Sequence, residues 1–413
     1  IFFWVARMIM AGHEFMGELP FRNVYFTGII RDKLGRKMSK SLGNSPDPLE
    51  LIGKYGADAL RFGTMRSAPL GQDVLFDEKD VELGRNFCNK LWNACRFRQM
   101  QGGEVQAEIT PELLTSYDKW ILLKLDQAIR DITAAFAEYR FNEATQTLYR
   151  FFWSEYCDWY VESSKAVLSG GAPQAEVADA KADANPARRR ANTLAVIDFI
   201  LSHTLRLFHP FLPFITEELW QGMGYSKEMP EAQGGQTIMF APWPKPLDEN
   251  FTAHYGVDGC YLEIVQARFD LITQARNLRR EANIPASKKV KFVLKPEGFV
   301  PALDLEVLKL LLNAEAIELA PNYEPAKGTP SVHAEIGDLF LPLEGLQDVG
   351  AEKARLKKEL EKAQAEITKA ESKLNNPNFS SKAPAHVLEE HQKRLVEWRE
   401  KRDRIQASLD RLG

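Results

Sequence analysis

GRKMSKSLGN, Gly35 to Asn44, is a basic, hydroxyl-rich stretch with a glycine near each end. Lys37 and Lys40 lie three residues apart and Lys37 and Ser41 four apart, so one helical turn would bring their polar ends to a common side, where they can grip one polyphosphate. Gly35 and Gly43 allow backbone angles closed to other residues, which suits a loop that closes over a ligand and reopens. Charge alone reads the same residues as a solvated surface turn. Upstream, Asn23 to Arg31 is rich in Val, Tyr, Phe, Thr and Ile and predicts a strand, with Asp32 to Gly35 as the turn that follows it. Downstream, Asp47 is placed as an N-cap, Pro48 as the first helical residue and Glu50 in the capping-box position. Helices are predicted over Pro48 to Tyr55 and Ala57 to Arg66, divided by Gly56, and a mostly buried helix over Phe2 to Ala11. The loop therefore hangs from the end of a strand, as at the tail of an α/β nucleotide-binding domain.

The pattern then becomes helical: Lys79 to Gln101, Ser116 to Tyr139, Asn142 to Leu168, Arg188 to Phe208 and Phe214 to Met223, with a Gly-, Ala- and Pro-rich loop from Gly170 to Pro186. This is the pattern of an antiparallel bundle. The first of these helices carries Lys90, Asn93, Arg96 and Phe97. Lysine meets phosphate, asparagine or arginine reads splayed base edges, and an aromatic ring stacks on a base. Spacing alone favours a core aromatic flanked by solvated charge, with Trp92 on the packing side. A second aromatic cluster, Phe151, Phe152, Trp153, Tyr156, Trp159 and Tyr160, reads as bundle core.

Beyond a connector with a predicted "IMFAPWP" strand, a long helix is expected at about Tyr255 to Ala282. Arg276 and Arg280, one turn apart near its end, read equally as RNA-backbone contacts or a solvated face. Strands at Lys289 to Leu294, Ala316 to Leu319 and Val332 to Leu343, with a helix at Pro301 to Asn313, predict a small α+β module. Leu356, Leu360, Ala363, Ile367, Ala370 and Leu374 alternate at spacings of four and three, and Leu388 to Leu412 continue the heptad pattern. The intervening NNPNFSSKAP breaks the pattern with two prolines, so the two helices are expected to fold back as an antiparallel coiled coil.

With 413 residues, 45% apolar and 27% charged, the composition is that of a soluble globular chain of about two to four domains. No apolar run reaches the roughly 18 residues of a membrane span. The first residue is Ile1, and the chain reads as a piece of a longer protein beginning inside a helix. Cys88, Cys95, Cys157 and Cys260 form no C-x-x-C pair, and the seven histidines form no H-x-x-x-H pattern; buried free thiols and no protein-bound zinc are expected. Net charge is −4, yet Ala351 to Gly413 holds 15 Lys and Arg against 11 Asp and Glu. An acidic total does not exclude a nucleic-acid partner, because local faces decide binding.

The string KMSKS resembles the second signature of class I aminoacyl-tRNA synthetases. FFWVARMIM upstream, DPLELIGKYGADALRF downstream, then KLWNACRF, YRFNEATQTLYRFFWSEYCDWY, HPFLPFITEELW and NFSSKAP resemble the bacterial valine-specific branch of that family over essentially the whole chain. The resemblance implies a multidomain, mainly α protein. Its parts would be the end of a Rossmann-type catalytic domain (residues 1–77), a helical anticodon-binding domain (78–248), a long helix with a small α+β module (249–345) and an antiparallel coiled-coil tRNA-binding arm (346–413). It implies ATP with Mg2+ as substrate, tRNA(Val) and L-valine as partners, a cytoplasmic monomer, and an anticodon-reading helix at KLWNACRF. Lys37 and Lys40 become catalytic candidates, Met38, Ser39 and Ser41 further ATP contacts, and Lys90, Asn93, Arg96 and Phe97 tRNA contacts. The sequence lacks the family's H-x-G-H signature and its inserted editing domain, so the chain is expected to be inactive alone. The alternative is a tRNA-binding module without catalysis.

Overall fold

The computed structural model describes residues 3–105, 108–169, 185–228, 236–326, 328–343 and 349–374, with 392–393, 395–399, 402–403 and 406; the side chains of 349–356 lie outside that description. The described chain is mainly helical. Helix α1, Trp4–Met16, ends at Gly17 in the left-handed region (φ 73°) and buries none of its residues. That differs from the expected buried helix: no described helix or strand packs over its apolar side, so Trp4, Met10 and Phe15 stand open. The strand expected over Asn23 to Arg31 shrinks to β1, Ile30–Arg31, paired in parallel with β2, Val74–Leu75. A strand forms where its backbone groups find a ladder, and here the ladder is two residues long.

Helices α2 (Pro48–Tyr55) and α3 (Ala57–Arg66) have the predicted bounds, the first capped by the Asp47 carboxylate on the Leu49 amide. Helix α4 (Glu78–Met100) is capped likewise by Asp77 on Lys79. It lies backbone to backbone against α3. A Cβ on Gly84 would sit 2.4 Å from the Ala59 carbonyl oxygen, and one on Gly63 2.4 Å from that of Asp80. Only glycine permits this approach.

Helix α5 (Ser116–Ala137) opens with a reciprocal Thr115–Asp118 capping box. The helix expected from Asn142 to Leu168 is continuous but not uniform: α6 (Phe141–Arg150), a π-helical stretch (Phe151–Val161) and α7 (Glu162–Leu168). The π-helical stretch buries Phe151, Phe152, Tyr156 and Tyr160. Helix α8 (Pro186–Phe208) is apolar on most sides, and Asn192 to Phe208 is buried almost throughout, which makes it the central helix. Then come α9 (Pro213–Gly222), α10 (Tyr225–Glu228), α11 (Glu249–Tyr255) and α12 (Cys260–Glu281). The predicted strand in IMFAPWP is instead a 3-10 turn, Ile238–Phe240, because Thr237 caps it and Glu217 takes the Ile238 amide. The long helix expected from about Tyr255 to Ala282 starts instead at Cys260, because Gly256, whose φ is 57°, ends the short α11 before it.

The α+β part comprises β3 (Val290–Pro296), α13 (Ala302–Leu311), β4 (Ala314–Leu319), β5 (Ser331–Ala334) and β6 (Gly337–Phe340), with sheet order β4-β3-β6-β5. β3 and β4 are parallel across α13, and the other pairs are antiparallel. One hydrophobic core runs from Phe62 through the helices to Leu341. Asp304 of α13, paired with Arg268 of α12, is buried where the module meets the helices. Helix α14, Val349–Leu374, buries Ala363, Ile367 and Ala370 of the heptad seam. Most of the predicted second heptad helix, Leu388 to Leu412, lies outside the described residues, but Arg399 reaches Glu371 at 2.6 Å.

Candidate functional site

Two regions carry chemistry. The first is the Gly35 to Asn44 loop. Its root is Asp32, at the end of β1, whose carboxylate accepts from the Leu34 amide (3.0 Å), the Arg36 amide (2.9 Å), the Arg36 guanidinium (2.7 Å) and Asn44 Nδ2 (2.9 Å). Asn44 and Arg36 together hold the Asp32 carboxyl well below the usual carboxylate range. Gly35 (φ 74°) and Gly43 (φ 65°) both occupy the left-handed region. The expected single helical turn is absent: Lys37 bridges Arg31, Ser39 is extended (φ −150°, ψ 150°), and a 3-10 turn starts only at Lys40. Asn44 Oδ1 takes the Ser39 amide, and with that amide engaged from outside the turn the chain stays open around Met38. Ser39 Oγ caps the Leu42 amide at 3.2 Å and lies 3.2 Å from Ser41 Oγ, so the two hydroxyls answer each other. Met38 is half-buried. Lys37 and Lys40 are exposed, and neither ammonium has a hydrogen-bond or ion-pair partner among the described residues.

The second region is the C-terminal half of α4. Its buried stripe is Phe87, Leu91, Ala94, Cys95 and Arg98. Asn93 and Arg96 lie on the opposite, exposed face, while Phe97 is half-buried against the core with the Lys165 ammonium 5.9 Å from its ring. Lys90 is held by Asp158 (2.9 Å) and lies 4.8 Å from the Trp153 ring centre. The four predicted RNA contacts therefore do not form one free stripe: two face solvent, one is ion-paired and one is partly packed. Trp92, expected on the packing side, is 42% exposed and joins Asn93 and Arg96 on the open face. An indole edge beside an amide and a guanidinium can stack on and read an unpaired base.

Behind this face, Arg98 pairs with Asp198 through Nε (3.0 Å) and Nη2 (2.8 Å), with Tyr225 donating to the same carboxylate. Arg61 and Asp58 of α3 reach α9: Arg61 donates to the Pro210 carbonyl (3.0 Å), and Asp58 accepts from the Ile215 amide (2.7 Å). Sequence reading missed Asp32, Asn44, Trp92 and Arg98. Arg276 is not a free RNA contact: it donates to the Leu311 carbonyl and lies 5.7 Å from the Trp159 ring centre. Arg280, its neighbour one turn on, remains exposed.

Family models match three successive stretches: "tRNA synthetases class I (I, L, M and V)" over residues 1–77, "Anticodon-binding domain of tRNA ligase" over 118–294, and "Valyl tRNA synthetase tRNA binding arm" over 348–413. Curated valine–tRNA ligases align along the whole of this chain. That of Listeria innocua is 37% identical over 100% of this chain and 44% of its own length; that of Thermotoga maritima is 39% identical over 99% and 43%. The chain belongs to the valine–tRNA ligase family. It spans about 44% of the length of the relatives it matches. A solved LeuRS–tRNA–LeuAMS complex from Agrobacterium radiobacter overlays 59% of this chain and 27% of its own at 20% identity, with a TM-score of 0.42.

Within this family member, no group of three or more His, Cys, Asp or Glu side chains capable of holding a metal occurs among the described residues. Burial pushes the Cys88 and Cys157 thiols up to about 12, which keeps both as inert thiols at neutral pH. Cys95 is buried beside them, whereas Cys260 is exposed, unlike the buried thiol expected there. No helix among the described residues is long and apolar enough to cross a membrane.

Proposed function

We propose that the chain supplies a valine–tRNA ligase with the loop that stabilises the departing pyrophosphate and with the surfaces that hold tRNA(Val). The supporting observations are the similarity to valine–tRNA ligases along this whole chain and the exposed Lys37 and Lys40 of the KMSKS loop, whose ammoniums have no partner among the described residues. Valine attacks the α-phosphate of ATP, which enters with Mg2+, and negative charge grows on the leaving pyrophosphate. Cations aimed at that charge stabilise the transition state more than the ground state. Lys37 and Lys40 take this role, Lys40 the more directly, with Met38, Ser39 and Ser41 lining the loop. Residues 1–77 act as the end of the catalytic domain, 78–248 as the anticodon-binding domain, 249–345 as the α+β connection and 346–413 as a coiled-coil tRNA arm. In this reading Asn93 and Arg96 meet anticodon bases directly, Phe97 offers a ring edge, and Lys90 turns to phosphate by exchanging Asp158. The complete protein works as a cytoplasmic monomer.

The test is binding of tRNA(Val) to the chain over a salt series, beside a transcript with an altered anticodon. A steep fall in affinity with salt and a loss on anticodon change are expected. Equal, salt-insensitive affinities overturn the reading.

A further inference from the structure

Lys37 and Lys40 sit on a stretch with one 3-10 turn and no α-helix to stiffen it, so their positions depend on what pins the backbone between them. Asn44 does so on both sides of Met38. Its Oδ1 accepts from the Ser39 amide at 2.9 Å, and its Nδ2 donates to the Lys37 carbonyl at 3.3 Å. The same Nδ2 donates to Asp32 Oδ2 at 2.9 Å, across twelve residues of chain. Asp32 is itself fixed. It is only 9% exposed, its Oδ1 holds the Leu34 and Arg36 amides, and its own amide donates to the Arg36 carbonyl at 3.0 Å. Asp32 also engages the Arg36 guanidinium at 2.7 Å. The cation nearest the lysines in sequence is thereby turned back toward the root of the loop.

We propose that Asp32 and Asn44 form a clasp that sets the separation and direction of Lys37 and Lys40 for a polyphosphate. Both are positioning residues that touch no substrate. The proposal rests on the pyrophosphate-stabilising reading of the loop.

The clasp has a chemical direction: a carboxylate accepts and an amide donates. Exchanging the two side chains keeps only the contact between them, because an amide nitrogen at position 32 also faces the Arg36 guanidinium and a carboxylate at position 44 also faces the Lys37 carbonyl. Changing either residue alone destroys that contact. Asp32→Asn faces one amide nitrogen with another, and Asn44→Asp faces one carboxylate with another.

The experiment measures valine-dependent ATP–pyrophosphate exchange in the complete ligase bearing D32N, N44D, N44A, the exchanged double variant D32N/N44D, and K40A. Amide hydrogen exchange at Leu34, Arg36 and Ser39 is read in the same proteins. Each single clasp variant is expected to lower kcat about tenfold, the rate equivalent of one lost hydrogen bond. The KM for valine and the melting temperature should hold, and the Ser39 amide should exchange faster. The exchanged pair should lose less than the two single losses multiplied together, because its mutual contact is kept, which two independent structural defects would not show. Single variants at wild-type rate, an exchanged pair whose loss is the full product of the two single losses, or a lowered melting temperature that accounts for the loss would each overturn the clasp. K40A separates the two readings. If K40A leaves exchange intact, the pyrophosphate role of the loop fails while Ser39 protection still reports the clasp. If K40A is impaired and N44A changes neither rate nor protection, the clasp alone fails.

Discussion

Adding one methyl group to the chain should have opposite effects at two glycines of similar helical setting. Gly53 in α2 has nothing within 4 Å of the position a Cβ would take. Gly53→Ala should therefore stabilise the protein by about 0.5–1 kcal/mol, the usual helical advantage of alanine. At Gly84 the same methyl would sit 2.4 Å from the Ala59 carbonyl oxygen and 3.1 Å from Ala59 Cα, both backbone atoms that cannot swing aside. A carbon and an oxygen pack without strain about 1 Å farther apart, so α3 and α4 must separate by that amount or bend. Overpacking of this kind costs about 1–3 kcal/mol, and the forced parting also loosens the Phe62–Phe87 stack, whose ring centres lie 4.8 Å apart. After the helical gain, Gly84→Ala should still be destabilised by about 1 kcal/mol, and Gly63→Ala, which meets the Asp80 carbonyl, by a similar amount. Urea unfolding followed by far-ultraviolet circular dichroism reads the difference as a lower midpoint for both variants and a higher one for Gly53→Ala. A Gly84→Ala midpoint at or above wild type would refute the close helix contact. The displacement matters for function too, because Arg96 lies on the same rigid helix about 18 Å from Gly84.

Arg98→Met should destabilise by about 3–5 kcal/mol in the same unfolding assay, since it strands the fully buried Asp198 carboxylate; a loss below about 1 kcal/mol would contradict the buried pairing. His203 is buried neutral, its pKa pushed down to about 3 from 6.5 by desolvation. The unfolded chain takes up the proton first, so the stability this group contributes is full above pH 6.5 and falls by up to about 1.4 kcal/mol per pH unit on acidification towards 3. His203→Gln should flatten the melting-temperature curve between pH 7 and 5, and an unchanged slope would exclude His203 as a source. Trp92→Ala should weaken tRNA(Val) binding by about 1–3 kcal/mol through lost base stacking, measured as Kd at fixed salt, with unfolding unaffected.

Local signals in this chain proved readable where a residue and its partner are close in sequence. Asp47, read as an N-cap, closes on the Leu49 amide, and the helices capped by Asp77 and Thr115, caps that sequence reading did not name, start within one residue of the predicted Lys79 and Ser116. The KMSKS string was readable for a different reason, its resemblance to a family, and not through the helical-turn geometry, which the extended Ser39 contradicts. What escaped is non-local. Asp32 and Asn44 meet across twelve residues and Arg98 and Asp198 across a hundred, and nothing in the spacing of either pair announces it. Asn23 to Arg31 has the composition of a buried strand, yet composition cannot supply the neighbouring ladder; Val24, Phe26 and Ile29 remain exposed for want of one among the described residues. The wider winding of Phe151–Val161 is equally silent, because its aromatic residues suit an α-helical core as well as a π-helical one.

The arginines explain why charge counting overstates the RNA-facing surface. Arg206 is buried and donates to the Ser202 and Pro242 carbonyls, with desolvation pulling its pKa down to about 10. Arg279 donates to the carbonyls of Leu312, Pro285, Ala286 and Lys288. Arg61 holds the Pro210 and Phe211 carbonyls, and Arg276 that of Leu311. Most of these acceptors belong to irregular segments or to helix ends, where the backbone has no ladder and each buried carbonyl needs a donor from elsewhere. Guanidinium, with five donors in a fixed fork, reaches carbonyls on several sides at once, whereas the three donors of a lysine ammonium diverge from one nitrogen. Among the described residues, the cations without such duties include Lys37 and Lys40 on the clasped loop, Arg96 on the open face of α4 and Arg280 near the end of α12. A variant that removes Arg279 should therefore disturb folding before it disturbs tRNA affinity, whereas one that removes Arg96 should do the reverse.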